Sequence, residues 1–322
     1  MTATTSSFRM RARGPFSLIS AARFTESFPA GQGGGHNARL DLAFPAENDW
    51  TTLGARVTAD RTELLAGIVA NPGALPLGQI RSQVERILSL DVDGTGFPAV
   101  AERDPVVRDL QARYPGLRPV QFHSPYEAAA WTIIGQRIRM TQAAGIRTRM
   151  ATQLGDGIDF GDRQLRSFPA PDRLTALREF PGLTKRKIEQ LQALGRAAGQ
   201  GQLDATALRS RPPDEALAHL QTLPGIGPFS AELILLRGAG HPDVFPTQEK
   251  RLHRAMAAVY HIGPNPTQAA LQAIAANWRP YRTWTALLLR TWLEDVTHEI
   301  TEGRRADVLP DAGGPALGRV SG

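Results

Sequence analysis

The segment Leu223-Pro-Gly-Ile-Gly-Pro228 constrains the fold of this chain more than any other stretch. Residues 214–220 before it have apolar side chains at helical spacing, and Pro224 stops that helix. Pro228 suits the first position of a new helix, whose apolar pattern continues through residues 231–236. The sequence therefore predicts two helices joined by a tight hairpin.

The two glycines of this hairpin indicate a possible binding site. Gly225 and Gly227 flank Ile226, whose side chain we expect to pack into the core while the glycine backbone stays exposed. Backbone N–H groups at a helix N-terminus form a site for a phosphate. A Gly-x-Gly pair alone is more often an ordinary tight turn. An acidic loop over residues 243–249, roughly twenty residues further on, favours the functional interpretation.

Charge and composition narrow the possible partners and sites. The chain has 322 residues, no cysteine and a net charge of +6, with 37 Lys and Arg against 31 Asp and Glu. The lack of cysteine excludes disulfides, thiolate zinc sites and iron–sulfur clusters, and it fits a cytoplasmic protein. We also expect a monomer. The positive charge favours a polyanionic partner such as nucleic acid. We find no signal-peptide core and no apolar run of about eighteen residues, so no membrane span is expected.

Residues 1–98 are predicted to form an α+β domain that serves as a scaffold. Alternating apolar and polar side chains predict half-buried strands, and helical spacing predicts two helices. The glycine-rich residues 31–35 predict a flexible loop. The predicted strands cover residues 8–12, 38–44 and 53–58, and the predicted helices cover residues 16–24 and 77–88.

The turn-rich tract of residues 91–98 marks a domain boundary, beyond which the pattern is almost entirely helical. Ser124, Pro125 and Glu127 predict a helix start with a capping box. Residues 303–322, rich in Gly, Pro, Asp and Arg, are predicted to be a disordered tail. Further predicted helices cover residues 104–110, 124–134, 174–180, 185–198, 252–259, 267–278 and 283–292.

A series of short motifs runs through the chain up to residue 282. They are Arg13-Gly-Pro-Phe16, Arg23-Phe24, Ser124-Pro-Tyr-Glu127, Ile133-Ile-Gly-Gln136, Phe168-Pro-Ala-Pro171, Leu220-Gln-Thr-Leu-Pro-Gly-Ile-Gly227, Asp243-Val-Phe-Pro246 and Trp278-Arg-Pro-Tyr-Arg282. In this order they resemble the 3-methyladenine DNA glycosylase II (AlkA-type) branch of the helix-hairpin-helix DNA glycosylases. The resemblance covers nearly all of the chain before the predicted tail.

This resemblance implies an α+β fold, with an N-terminal antiparallel sheet domain over residues 1–98 and a mainly α helix-hairpin-helix core over residues 99–302. That core would have two subdomains, residues 124–241 and residues 99–123 plus 242–302, with the active cleft between them. The implied activity is that of a monofunctional DNA glycosylase of base excision repair. Such an enzyme flips an alkylated (3-methyladenine-type) purine out of double-stranded DNA and hydrolyses its glycosidic bond.

The resemblance also implies which residues contact DNA. The amides of Gly225 and Gly227 would hold a phosphate, and Gln136 and Arg137 would lie against the duplex. Arg137 occupies the position of the residue that fills the gap left by a flipped nucleotide. That residue is apolar in the family, and a plain surface arginine is an equal alternative here. A monovalent cation, Na⁺ or K⁺, would be held by the backbone carbonyls of Gln221, Leu223 and Ile226, although a hairpin without an ion is the alternative.

The catalytic carboxylate departs from the family pattern. The family has an aspartate shortly after Asp-Val-Phe-Pro, and the matching position here is Glu249. A fixed carboxylate stabilises the oxocarbenium-like sugar and orients water, and a cationic alkylated purine leaves without a strong general acid. A solvated glutamate beside Lys250 and Arg251 is the alternative for Glu249. Asp243 is a fallback candidate, although bracing the loop is its more ordinary role.

An alkylated cationic base is recognised by aromatic faces through stacking and cation–π attraction. Five aromatic residues are the candidates for this substrate pocket, although aromatic residues at helical spacing are more often core: Trp131, Trp284, Phe229, Tyr281 and Trp292. Phe229 also matches the lysine nucleophile of bifunctional relatives, so no lyase activity is expected. Arg290 falls where the family often has a pocket tryptophan. The basic run of residues 185–187 is a candidate phosphate contact, or a solvated helix face.

Two other functions stay open on the sequence alone. A DNA-binding or lesion-sensing protein whose active centre has drifted would keep salt-sensitive DNA binding without base release. A helical interaction module would not bind duplex DNA even at low salt.

Overall fold

The computed structural model describes residues 6–27, 33–35, 38–60 and 63–298. The predicted tail over residues 303–322 and residues 31–32 of the predicted glycine loop lie outside the described residues. Residues 33–35 of that loop form a short strand. Among the described residues, no helix is both long and apolar enough to cross a membrane.

An antiparallel sheet forms the first part of the described chain. The three predicted strands are present, whereas the strand over residues 63–70 was not predicted. In chain order the strands are β1 (Ser7–Met10), β2 (Gly33–Gly35), β3 (Arg39–Pro45), β4 (Thr52–Asp60) and β5 (Glu63–Ala70). They lie side by side in the order β1-β5-β4-β3-β2. The prediction of a mixed fold with an N-terminal antiparallel sheet is therefore confirmed.

Two helices cover one face of this sheet, α1 (Leu18–Ser27) and α2 (Leu77–Ile87). Their positions match the predicted helices. The alternating side chains Leu40, Leu42 and Phe44 of β3 point to the same side and are almost completely buried. Burial of this apolar set fixes the register of β3, because a slip of one residue would turn it to the other face.

The opposite face of β3 is also covered, which the predicted half-buried strand did not anticipate. A short hairpin of β6 (Gly157–Asp159) and β7 (Gln164–Arg166) packs there, with Ile158 against Ala43. The carboxylate of Asp41 is fully buried at this junction and accepts hydrogen bonds from three arginines, Arg39, Arg56 and Arg163. Arg163, from a distant segment of the chain, thus adds to the partners that β3 and β4 supply to this buried charge.

The remainder of the described chain is mainly helical. In chain order the helices are α3 (Val100–Arg103), α4 (Pro105–Arg113), α5 (Pro125–Gly135), α6 (Met140–Leu154), α7 (Pro171–Thr175), α8 (Lys185–Gly199), α9 (Ala205–Ser210), α10 (Pro213–Gln221), α11 (Pro228–Leu233), α12 (Lys250–Val259), α13 (Gln268–Ala276) and α14 (Arg282–Thr297). A π-helical turn, Ile234–Gly238, continues α11. Helices α3, α6 and α9 were not predicted. The predicted helix over residues 174–180 is replaced by the earlier and shorter α7, whose last residue donates its hydroxyl back to the Pro171 carbonyl at 2.9 Å.

Ser124 caps α5 as predicted, since its hydroxyl oxygen accepts the N–H of Glu127 at 3.1 Å. The second half of the predicted capping box is wrong. The buried carboxylate of Glu127 pairs instead with Arg147 of α6 and lies 3.1 Å from Nδ1 of His123. Burial raises the pKa of Glu127, but Arg147 and then His123 outweigh burial and bring that pKa down to about 2. The pair fixes α5 against α6.

Buried apolar residues form separate clusters in the helical part. One is built on α5, α8, α10 and α11, and it includes the hairpin residues Leu223 and Ile226. Another is built on α4, α12 and α14. In the acidic loop, Val244 packs into the first of these cores and Phe245 into the second. The loop therefore crosses from one helical core to the other just before Glu249.

Candidate active site

The hairpin between α10 and α11 has the geometry that the sequence predicts. Ile226 is 5% exposed and plugs into the core. Gly225 has a φ of +87°, and a Cβ there would lie 2.6 Å from the side chain of Gln190, so this position needs glycine. Gly227 has an extended backbone with φ −94°, and nothing lies within 4 Å of the place a Cβ would occupy. Its outer side is open to an incoming group.

Two backbone donors of this hairpin have no acceptor among the described residues. The N–H of Ile226 donates to the carbonyl of Leu223 at 3.1 Å, and the N–H of Ala231 donates to Gly227 at 2.9 Å. Within the described part of the chain, no acceptor takes the N–H of Gly225 or of Gly227. Unpaired N–H groups in a turn at a helix N-terminus can bind an anion such as a phosphate.

The turn after α5 lies directly against the hairpin. Gln136 donates its side-chain amide to the carbonyl of Gly225 at 2.8 Å, so it braces the hairpin from the side. Arg137 follows at φ +57° and is exposed. Lys187 of α8 is buried and donates Nζ to the carbonyls of Ile134 and Gln136, at 2.7 and 2.8 Å. Burial lowers the pKa of Lys187. The suggestion that Lys187 contacts a phosphate is therefore wrong.

A cavity of about 560 Å³ lies next to α11 and is walled by α1, α4, α11, the acidic loop and α14. Among the predicted site residues, it brings together Phe229 and Glu249. Phe229 is 45% exposed at this site. A cavity of this volume, with apolar and aromatic side chains and eight charged residues in its wall, suits a small organic ligand or a nucleotide base.

Glu249 is fixed at the cavity wall by two contacts. It is the N-cap of α12, and its Oε1 accepts the N–H of Arg251 at 3.0 Å. Its Oε2 lies 3.6 Å from Nε of Arg290 on α14. The side chain is 23% exposed, so the carboxylate is held in place and still reachable.

Glu232 is a second carboxylate in the same wall, and the sequence analysis missed it. It is 6% exposed and lies in α11, one turn beyond the hairpin. Oε1 accepts the N–H of Thr247 at 2.9 Å and its hydroxyl, and Oε2 accepts the N–H of Gln248 at 2.9 Å. A glutamate in the middle of a helix carries no sequence signal for such contacts.

Asp243 braces the acidic loop, the more ordinary of the two roles considered for it. Its Oδ1 accepts the backbone N–H of Arg282 at 3.2 Å and Nε of the same residue at 2.8 Å. The Arg282 guanidinium also donates to the Asp243 carbonyl at 2.7 Å. The carboxylate is thus engaged at the start of α14.

Four of the five predicted pocket aromatics do not line this cavity, among them Trp292, which is partly buried against the core around α14. Trp131 is 4% exposed and belongs to the core around α5. Trp284 is 2% exposed, and the guanidinium of Arg118 lies 4.9 Å from its ring centroid. Tyr281 is buried and donates its hydroxyl to the carbonyl of Asp93 at 2.7 Å. Their spacing reflects helix packing instead of a ligand site.

Other aromatic residues take their place: the cavity wall contains Phe24, Tyr114 and Phe122 besides Phe229. The guanidinium of Arg237 lies 5.1 Å from the ring centroid of Phe24 and donates to the carbonyl of Val120 at 2.6 Å. Burial, with Arg290 as a smaller cause, lowers the pKa of Arg237 to about 10. Of Phe24, Tyr114 and Phe122, only Phe24 belongs to one of the sequence motifs, Arg23-Phe24.

The donor set of the predicted cation site fits an alkali cation. Gln221 is the last residue of α10, where carbonyl groups lack partners further along the helix. The Leu223 carbonyl accepts one N–H and keeps a second lone pair, and Ile226 follows in the same turn. Backbone carbonyls are ligands for K⁺ in proteins. Among the described residues, no group of three or more His, Cys, Asp or Glu could hold another metal.

Comparison with known proteins gives consistent matches. No family model matches the chain. The DNA-3-methyladenine glycosylase of Bacillus subtilis strain 168 is 24% identical over 215 residues, which cover 66% of this chain and 71% of that protein. DNA-3-methyladenine glycosylase 2 of Escherichia coli K12 is 31% identical over 189 residues. These residues cover 57% of this chain and 62% of the Escherichia coli protein, which is less than two thirds of that protein's length.

The fold also matches a solved structure. The 3-methyladenine DNA-glycosylase from Archaeoglobus fulgidus superposes with a TM-score of 0.74 at 18% identity, covering 90% of this chain and 99% of that chain. A match at this identity establishes the fold alone. In the order of its motifs, in its hairpin and in these matches, the chain is similar to DNA-3-methyladenine glycosylases of the AlkA type, and it has the fold of a helix-hairpin-helix DNA glycosylase.

Proposed function

We propose that this protein is a monofunctional DNA glycosylase that removes alkylated (3-methyladenine-type) purines from double-stranded DNA. One observation carries the proposal: Glu249 lies in the wall of a base-sized cavity formed in part by the helix that starts at the hairpin. The names of the relatives point to the same substrate class. We place the activity in the cytoplasm and expect a monomer.

The hairpin anchors the DNA strand in this proposal. The amides of Gly225 and Gly227 bind one phosphate of the damaged strand. The carbonyls of Gln221, Leu223 and Ile226 hold the cation, which supplies a second positive charge next to the phosphate. Arg137 is exposed beside the hairpin and reaches the space that the flipped nucleotide leaves. The two helical cores act as subdomains on either side of the cleft.

Glu249 then assists hydrolysis. The bond between the sugar C1′ and the purine nitrogen breaks, and its electron pair goes to the base, so a cationic alkylated purine leaves as a neutral molecule. The sugar becomes positively charged, and a carboxylate held close to it stabilises that charge. A water oxygen bonds to C1′, and the released proton passes to solvent. Phe229 has no amine to form a Schiff base with the sugar, so the strand is left intact.

The test measures release of free base from an alkylated duplex in a single turnover, with enzyme in excess. The unsubstituted protein releases base and leaves an intact abasic strand. Glu249→Gln keeps the size of the side chain and removes its charge, so the rate falls by about a hundredfold or more while DNA binding is retained. Glu215→Gln is the matched control, since it removes one exposed carboxylate from α10 without touching the cavity.

The results of this test distinguish the glycosylase from the two alternative functions. An unchanged rate in Glu249→Gln would show that the role assigned to this carboxylate is wrong. Binding without base release by the unsubstituted protein, on every alkylated duplex tried, would support the DNA-binding function instead. No duplex binding even at low salt would exclude both.

A further inference from the structure

Glu232 connects the hairpin helix to the loop that carries Glu249. It lies on α11, which begins next to Gly227, and is 6% exposed. Both of its carboxylate oxygens accept hydrogen bonds from the loop: Oε1 from the backbone and hydroxyl of Thr247, and Oε2 from the backbone of Gln248. These are the two residues directly before Glu249, so the contact fixes the path of the backbone into it.

The two carboxylates in this wall differ in their partners. Three donors from the loop engage Glu232, and both of its oxygens are committed to them. Glu249 accepts one backbone N–H and faces Arg290 across 3.6 Å. Hydrogen bonds from backbone N–H groups to a carboxylate are stronger than those between neutral groups. Glu232 therefore holds the Thr247–Gln248 segment of the loop against α11.

We propose that Glu232 is a positioning residue for hydrolysis, acting through Glu249 by holding the Thr247–Gln248 segment to α11. The inference rests on the proposed glycosylase function. The same helix starts at the hairpin amides and carries Glu232, so α11 connects the phosphate anchor to the loop that leads into Glu249. Displacement of a catalytic group by about 1 Å costs on the order of a hundredfold in rate.

Glu232→Gln tests this in the full-length protein. A glutamine accepts at one oxygen and presents an NH₂ group to donors that need an acceptor, so the loop loses part of its anchor. We expect the single-turnover rate of base release to fall roughly 10- to 100-fold. The protein concentration that gives half the maximal rate stays unchanged, because the hairpin amides are not altered. Glu215→Gln again serves as the control for loss of one negative charge.

A double-variant cycle separates positioning from general structural damage. If Glu232 acts through Glu249, Glu232→Gln changes the residual rate of the Glu249→Gln protein by less than about twofold. If the two substitutions multiply their effects, Glu232 supports the protein in another way and the proposal is overturned. A full rate in Glu232→Gln overturns it as well.

Thr247→Val provides a second variant that keeps the fold even if Glu232→Gln does not. It removes only the hydroxyl that donates to Glu232 and keeps the backbone N–H. We expect a smaller fall, roughly threefold to tenfold, which also disappears in the Glu249→Gln background. A Thr247→Val rate equal to that of the unsubstituted protein contradicts the proposal. If the unsubstituted protein releases no base, the proposed function fails, and that result is distinct from either variant outcome.

Discussion

The sheet junction around Asp41 and the cleft around Glu249 place carboxylates beside arginines in opposite ways. Asp41 is fully buried, and three arginines donate to it: Arg39 of the same strand, Arg56 of the neighbouring strand β4, and Arg163 of the distant β6–β7 hairpin. Glu249 is partly exposed and has one arginine at 3.6 Å. The first carboxylate has all its partners inside the protein, whereas the second keeps room for an outside group.

The backbone groups and arginines of the two regions also differ in how many partners they have inside the protein. At the sheet junction, Arg56 donates both to Asp41 and to the carbonyl of Phe160. At the cleft, the amides of Gly225 and Gly227 have no acceptor in the described part of the chain, and Arg137 is exposed. Polar groups that the fold leaves unsatisfied near a cavity mark a binding site, whereas satisfied ones stabilise the fold.

The largest expected effect in this comparison is on stability, from Asp41→Asn. The substitution leaves three guanidinium groups around a neutral side chain, which costs about 3 kcal/mol of unfolding free energy. Urea unfolding at neutral pH measures this loss. The rate of base release per folded molecule should stay unchanged. A loss of activity without a loss of stability would break the distinction between the two regions.

The pH dependence of that loss has a definite sign. Burial raises the pKa of Asp41, but hydrogen bonds from Arg56, Arg39 and Arg163 outweigh burial and leave that pKa below its ordinary value of 3.8. The stabilisation is therefore present above about pH 3.8 and is lost as the pH falls through the lower folded-state pKa. The difference between the unsubstituted protein and Asp41→Asn should shrink in acid. Asp162→Asn is the control, because this exposed carboxylate faces Arg39 and Arg56 and should cost much less.

Local features of the fold were predictable from the sequence. The hairpin follows from Pro224, Pro228 and the two glycines, and the cap of α5 follows from Ser124. These signals act over a few residues, so no distant contact is needed to interpret them. Glu249 follows the motif Asp243-Val-Phe-Pro246 and lies in the cavity wall. Val244 of this motif packs into one helical core and Phe245 into the other, so the loop passes between the cores just before Glu249.

Features that depend on distant contacts were not predictable. The second layer on β3 comes from residues 157–166, and nothing in the strand itself indicates it. Glu127 satisfies the pattern of a capping box, yet it is drawn to Arg147 of the next helix. Glu232 looks like any helical glutamate because its partners are backbone groups of another segment. Trp131 and Trp284 match a pocket by type, but their helical spacing places them in the cores.

A smaller effect is expected from Gly227→Asp, which places a negative charge at the open amides. The backbone there is extended and an added Cβ meets nothing within 4 Å, so we expect the fold to be preserved. The new carboxylate repels a phosphate and can itself accept the free N–H groups. Duplex binding should weaken about tenfold, measured by fluorescence anisotropy at fixed salt. Gly227→Ala is the control and should bind almost normally. Equal duplex binding by Gly227→Asp and Gly227→Ala would show that the hairpin does not contact the DNA.

The smallest effect separates two cations that lie beside the same turn. Lys187 donates to the carbonyls of Ile134 and Gln136, while Arg137 is exposed and makes no described hydrogen bond. Arg137→Gln should weaken duplex binding about threefold and reduce the salt dependence of binding by about one phosphate contact, without a change in thermal unfolding.

Lys187→Gln should give the reverse result, a loss of stability with an unchanged salt dependence of binding. The Lys187 ammonium group already donates to two backbone carbonyls inside the protein, so its loss affects the fold and not the DNA contact. The two substitutions remove the same unit of charge at the turn that lies against the hairpin, so net charge alone predicts equal effects on binding. If both reduce the salt dependence equally, long-range attraction explains the binding. If only Arg137→Gln does, the exposed cation contacts the DNA directly, and the distinction between satisfied and unsatisfied groups holds even between neighbours.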